Sequence, residues 1–240
     1  MNNNYQLAVP TEKCPSCHVL SVMKNIQNNS KVALVTREPN TSSDTFGAKR
    51  ESGLKNKEPE AFQRTAGVQN SLAYMGSIIS FLAEGGETAG RFAFMEYRSR
   101  PGTEPPPHIH EWEHELIYVL EGTMQFFCED KAMIARPGEM VFIPRGKPHA
   151  FYILSENVRA LGLIVQATDS KPLGLDRYFR AMGEQALSME LPDGAVTYAE
   201  ADLQQAQRIA NEVGCRLLSP EETAAALPQY PGFGIPLKGK

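Results

Sequence analysis

Three of the five histidines in this 240-residue chain, His108, His110 and His149, stand with one glutamate, Glu115, inside two clusters bracketed by glycine and proline. The first cluster extends from Gly102 to Gly122, the second from Gly138 through Pro144 and Gly146 to His149. Their spacing constrains the fold strongly. Side chains alternate across an extended strand, so His108 and His110, two residues apart, leave the same face. From Glu115 to Leu120 the text reads as a second apolar strand, in which Glu115, Ile117 and Val119 share a face. A bend between Glu111 and Glu113 then turns the carboxylate toward the imidazoles. His149 follows the turn signal Pro144-Arg145-Gly146 and opens the apolar run Ala150 to Leu154, which brings it in from a neighbouring strand. A lone histidine in a strand is most simply a structural residue. Three imidazoles and a carboxylate converging from separate strands are a metal-ligand set.

The two clusters resemble the paired motifs of the cupin superfamily, Gly-x5-His-x-His-x(3,4)-Glu-x6-Gly and Gly-x5-Pro-x-Gly-x2-His-x3-Asn. Gly102, His108, His110, Glu115 and Gly122 match the first; Gly138, Pro144, Gly146 and His149 match the second. The departure is Ile153, which stands where the family has asparagine. That asparagine is not a ligand in the family, so the ligand set is unaffected and only a neighbouring contact changes. The flanking text around Gly90, Pro105-Pro106-Pro107 and Tyr118, with a helical C-terminal tail, looks like the single-domain cupins related to quercetin 2,3-dioxygenase. The resemblance implies an all-β jelly-roll barrel, the double-stranded β-helix, holding a metal through His108, His110, Glu115 and His149. It also implies that Glu115 takes the hydroxyl proton of the substrate, as the corresponding glutamate is thought to do in quercetinases.

The rest of the chain is organised around that barrel. Residues 1–57 are rich in Asn, Ser, Thr, Lys and Glu and read as an extension with little structure, or one that packs over the body as a belt. The β region begins near Gly67, with strands at Gly76–Leu82 and Arg91–Arg98 around the Gly85-Gly86 turn and a closing strand at Ala160–Ala167. Short strands punctuated by Gly and Pro predict a sandwich or barrel over residues 58–170. From 171 to 240 the period becomes helical. Leu175, Tyr178, Phe179 and Met182 recur at helical spacing, a second helix is predicted over Ala199–Val213 with Gly214 as its stop, and Ser219-Pro220-Glu221-Glu222 opens a third. These helices are expected to cover the outside of the barrel or a dimer seam.

Several residues compete for roles. Glu113 has the parity of Glu115 and is a rival ligand or base, whereas His114 has the opposite parity and is expected to face solvent or a supporting partner. Cys14-Pro15-Ser16-Cys17-His18 matches a c-type haem attachment motif, but a polar leader supplies neither export nor a helical body, and zinc needs a second ligand pair. A chance match or a redox-sensitive pair is the simpler reading. Cys128 and Cys215 are read as reduced, buried thiols. Phe92, Phe94, Phe126, Phe127, Phe142 and Phe151 are core candidates, half of them facing the pocket.

A three-His, one-Glu site suits one divalent transition ion per chain, Fe, Cu, Mn, Co, Ni or Zn, rather than Mg or Ca. With Glu115 or Glu113 as base, three classes of function follow. The first is a dioxygenase acting on a flavonol-like, hydroxylated aromatic or enolic compound with O2. The second is a non-oxidative isomerase or lyase, and the third is a small-molecule-binding protein with a structural metal. A net charge of -4 without a basic stripe argues against a nucleic-acid partner, and the absence of a long apolar run argues against a membrane span. Lacking a basic-then-apolar leader, the chain is expected to be cytoplasmic, and a homodimer is the expected assembly.

Overall fold

A computed structural model describes residues 58–168, 171–192 and 200–233. The expected extension, with Cys14, Cys17 and His18, lies outside the described residues. Ten strands come first: β1 Ser71–Tyr74, β2 Ser77–Ala83, β3 Phe92–Ser99, β4 His108–His110, β5 Glu113–Glu121, β6 Met124–Cys128, β7 Lys131–Ala135, β8 Met140–Ile143, β9 His149–Ile153 and β10 Val158–Gln166. Then follow α1 Leu175–Met182, β11 Glu184–Gln185, α2 Glu200–Glu212, β12 Cys215–Leu217 and α3 Pro220–Ala226. Among the described residues the strands form two antiparallel sheets. One has the order β11-β1-β2-β3-β10-β5-β8, the other β12-β4-β9-β6-β7. No helix among the described residues is long and apolar enough to cross a membrane.

The sheets stack as a jelly roll because one face of each is apolar. Ile117, Val119, Val141 and Ile143 from the larger sheet share a buried cluster with Met124, Phe126 and Ile153 from the smaller. Burying side chains of this size stabilises by about 1.5–3 kcal/mol each relative to exposure. Glycines set the corners. Gly122 has φ +83°, and a Cβ there would lie 2.3 Å from the Asn157 carbonyl oxygen, so the β5–β6 turn admits no side chain. Gly146, at φ +78°, donates its N–H to the His110 carbonyl at 2.8 Å, tying the turn before β9 to the end of β4.

The C-terminal segment departs from expectation in an informative way. The helices fall where the apolar spacing predicts them, but only the end of α3 and the residues after it cover an outer face: Ala226, Leu227 and Tyr230 pack on Phe127, Ala150 and Tyr152 of the smaller sheet. α1 and α2 instead join the inner-face residues of the larger sheet. Tyr178, Phe179, Ala206, Ile209 and Ala210 share a core with Ile79, Phe81, Met95 and Ile164. The segment also contributes strands. β11 extends the larger sheet beside β1, and β12 extends the smaller one beside β4, pairing Cys215 with His110 and Leu217 with His108. The tail is therefore built into the sandwich where the histidine strand lies.

Candidate metal centre

β4 delivers two of the four converging side chains. Both His108 and His110 point inward, with exposures of 6% and 2%, because they share strand parity. Residues 111–112 form the bend, and β5 restarts at Glu113 with an alternating buried face that carries Glu113, Glu115, Ile117 and Val119. His149 opens β9 directly opposite His108 in the ladder. One ligand atom from each of His108, His110, Glu115 and His149 lies within 4.8 Å of the other three. Glu115 Oε2 is 3.5 Å from His110 Nε2 and 3.2 Å from His149 Nε2.

Hydrogen bonds orient the rings. A carbonyl can only accept, so His108 Nδ1 donates to the Pro106 carbonyl at 2.8 Å and His149 Nδ1 to the Lys147 carbonyl at 2.9 Å. Each ring thereby presents an Nε2 lone pair to the centre, the tautomer a metal ligand needs. His110 Nδ1 has no hydrogen-bond partner; it lies at ion-pair distance, 3.5 Å, from Glu113 Oε2. Burial, reinforced by His149 and His110, pushes the His108 imidazole well below its usual range. For His110 burial acts in the same direction, but Cys215 and the carboxylates flanking its two nitrogens overcome it and hold the ring well above that range. Burial alone would raise the Glu115 carboxyl; contacts with His110 and His149 outweigh it and keep Glu115 ionised well below the ordinary carboxylate range.

These residues fit a divalent transition ion. His110 Nε2 and His149 Nε2 are buried without a hydrogen-bond partner. An unsatisfied buried nitrogen costs about 1–3 kcal/mol, a deficit that coordination removes. Donors held about 2.0–2.2 Å from one ion lie no more than about 4.4 Å apart, close to the observed spread.

The other candidates are separated by their partners. Glu113 is almost fully buried, yet its Oε1 accepts from Gly174 N at 2.5 Å and Leu175 N at 3.3 Å, at the start of α1. A carboxylate at a helix N-terminus satisfies donors that the helix cannot. His114 points the other way, accepting from Arg145 N at 3.0 Å and stacking obliquely on Phe142. Phe92 and Phe142 face outward, 39% and 48% exposed, while Phe151 lines a cavity beside the ligands.

That cavity has a volume of about 90 Å³ and is walled by His108, Glu115, Tyr97, Met124, Leu175 and Cys215 among others. Among the described residues, no lysine or arginine lines it. Cys215 is free, and burial pushes its thiol up to about 11, so it presents a neutral surface. Leu175, Cys215 and Leu217 come from the tail, as does the helix end that holds Glu113. The motif spacing carries no signal for any of them.

Gly174 is where the tail meets the site most closely. A Cβ there would sit 1.9 Å from the Val213 carbonyl oxygen, which is backbone and cannot yield. Gly174→Ala is expected to lower stability by about 3 kcal/mol, read as a shift in the unfolding midpoint. At Gly86 an added Cβ meets nothing within 4 Å. Gly86→Ala should therefore stay within about 0.5 kcal/mol of the parent, and equal shifts for the two variants would refute the close approach.

A family model for the cupin domain matches residues 95–165, the span from β3 through β10. The quercetin 2,3-dioxygenase of Bacillus subtilis (strain 168) is 25% identical over 97 residues, 40% of this chain and 27% of that protein. The uncharacterized HTH-type transcriptional regulator YdiP of Escherichia coli (strain K12) is 38% identical over 60 residues, 25% of this chain and 19% of that protein. The matches thus span about a quarter or less of those relatives. Among solved structures, a predicted oxalate decarboxylase from Thermotoga maritima shows 22% identity and a TM-score of 0.36, covering 38% of this chain and 80% of that one. With both motifs on their strands and the domain model spanning them, residues 95–165 form a cupin domain.

Proposed function

We propose that the protein is a metal-dependent dioxygenase acting on a small, neutral hydroxylated aromatic or enolic compound. The observation that carries this reading is the cavity wall, which joins His108 and Glu115 to a largely apolar lining with no cationic side chain among the described residues. Phosphorylated or dicarboxylate substrates call for Arg or Lys partners. At about 90 Å³ the cavity is smaller than the roughly 300–1,000 Å³ typical of drug-sized ligands, so it suits a single ring or a short enol better than a three-ring flavonol.

His108, His110, Glu115 and His149 are the residues that would hold the ion. When bound, a redox-active transition ion supplies a centre for an ionised enol or phenol to react with O2. The chain's own contribution is proton transfer, orientation and exclusion of water. Glu115 is ionised and reaches the cavity, so it accepts the substrate hydroxyl proton. Glu113 positions His110. Ile117, Met124 and Phe151 press the substrate against the ligand wall and keep the site dry.

Oxygen consumption by protein loaded in turn with Fe, Cu, Mn, Co or Ni, against a panel of catechols, small enols and flavonols, tests the reading. Uptake that depends on both metal and a small enolic or phenolic substrate is expected. Turnover without oxygen would replace the dioxygenase with a non-oxidative isomerase or lyase. Tight binding without turnover would replace it with a binding protein.

A further inference from the structure

Tyr97 lies on the inward face of β3 and contributes to the cavity wall together with Glu115 and His108. Its hydroxyl makes no hydrogen bond with any described residue, unlike the other hydroxyls that line the cavity. Tyr74 and Tyr178 share a hydroxyl pair at 2.7 Å. Ser77 donates to Thr103 at 3.1 Å, and Ser99 donates to Ser77 at 2.9 Å. The cavity has therefore satisfied its other hydroxyls internally and left the Tyr97 hydroxyl for something else.

The neighbouring strand makes room for this ring. On β10, which pairs with β3, Gly162 lies so close that a Cβ there would fall 2.3 Å from Tyr97 Cε2 and 3.2 Å from two further ring atoms. Gly162 has no positive φ to explain its choice, so the space itself is the reason for glycine. Phe179 of α1 also meets the ring edge-on, with centroids 5.9 Å apart. Gly162 and Phe179 thus both pack closely on the ring, which restricts the positions that it can take. Burial, together with the charges of Glu115 and Glu113, pushes that hydroxyl well above its usual range, so it stays protonated and can donate.

We infer that Tyr97 is the substrate anchor of the cavity, donating a hydrogen bond to an oxygen of the bound enol or phenol while Glu115 takes the proton from the hydroxyl. Two polar groups then grip one small oxygenated ligand, and an apolar compound without an acceptor oxygen leaves Tyr97 unpaired. Such a site disfavours the deoxygenated analogue, which would displace water from the half-buried Tyr97 hydroxyl without replacing its hydrogen bond. The inference rests on the proposed function, since it takes the cavity to be the substrate site.

The test uses the full-length, metal-loaded protein with two optical probes, 4-nitrocatechol and azide. 4-Nitrocatechol offers an oxygen to Tyr97, whereas azide reports only an open position at the metal. Tyr97→Phe removes one oxygen and keeps the ring against Gly162 and Phe179. The expected result is about tenfold weaker 4-nitrocatechol binding with azide affinity unchanged. Tyr118→Phe, on the exposed outer face of β5, should leave both affinities at the wild-type level. Equal 4-nitrocatechol affinity in Tyr97→Phe and wild type would overturn the anchor and leave the proposed function standing. Weakening of both probes would make Tyr97 a support of the metal centre, not a substrate contact, and would also overturn it. Failure of the wild-type protein to bind 4-nitrocatechol while it binds azide would overturn the substrate class, and the anchor with it.

Discussion

Purified His110→Ala protein is expected to retain less than about one hundredth of the wild-type affinity for its transition ion. His108→Ala and His149→Ala should behave alike. The estimate follows from a lower bound: losing only a supporting partner of a ligand typically costs 10–100-fold in affinity, and these substitutions remove the ligand itself. His110 has the most to lose, because its two nitrogens face Glu113 and Glu115 at 3.5 Å and the ring bridges the two carboxylates. Elemental analysis after dialysis against a weak chelator reads the effect, with about one ion per chain expected in the parent. His114→Ala is the matched control, since its ring faces away and meets Arg145 N and Phe142. A His110→Ala protein with full occupancy would remove that residue from the ligand set, and metal loss in His114→Ala would show that the strand parity does not decide the ligands.

The convergence of the four residues was legible because it depends on local rules. Alternation places His108 beside His110, the bend at 111–112 lets β5 restart with Glu115 inward, and the Pro144–Gly146 turn aims His149. Helix positions in the tail were equally local, resting on apolar spacing and on the Ser219 cap, whose side chain accepts from Glu222 N. What stayed hidden is non-local. β11 and β12 contain two and three residues, too few for any period to appear, and their existence depends on finding β1 and β4. Parity could not separate Glu113 from Glu115, which share a face. The difference is made by Gly174 and Leu175, some 61 residues downstream of Glu113. The outer faces misled in another way. Phe92, Phe142, Tyr118 and Met140 are exposed on the larger sheet, so a phenylalanine in a strand here is not a sign of the inward face.

Glu115→Gln and Glu113→Gln should therefore fail differently, although the two substitutions are chemically the same. At position 115 the amide keeps the size and a coordinating oxygen but loses the basicity. Glu115→Gln should keep a good part of the metal while its turnover per bound ion falls by about two orders of magnitude or more. At position 113 the lost charge faces the first N–H groups of α1 and the Nδ1 of His110. An amide oxygen still accepts from Gly174, but it no longer holds His110 electrostatically. Glu113→Gln should thus weaken metal binding by about 10–100-fold while each ion that remains bound turns over at nearly the parental rate. Metal content and steady-state rate, measured together on whichever substrate supports oxygen uptake, separate the two effects. The contrast is decisive because it divides rate by occupancy. If Glu113→Gln loses its rate per ion and Glu115→Gln does not, the proton passes through the carboxylate at the helix end, and Glu115 serves the metal alone.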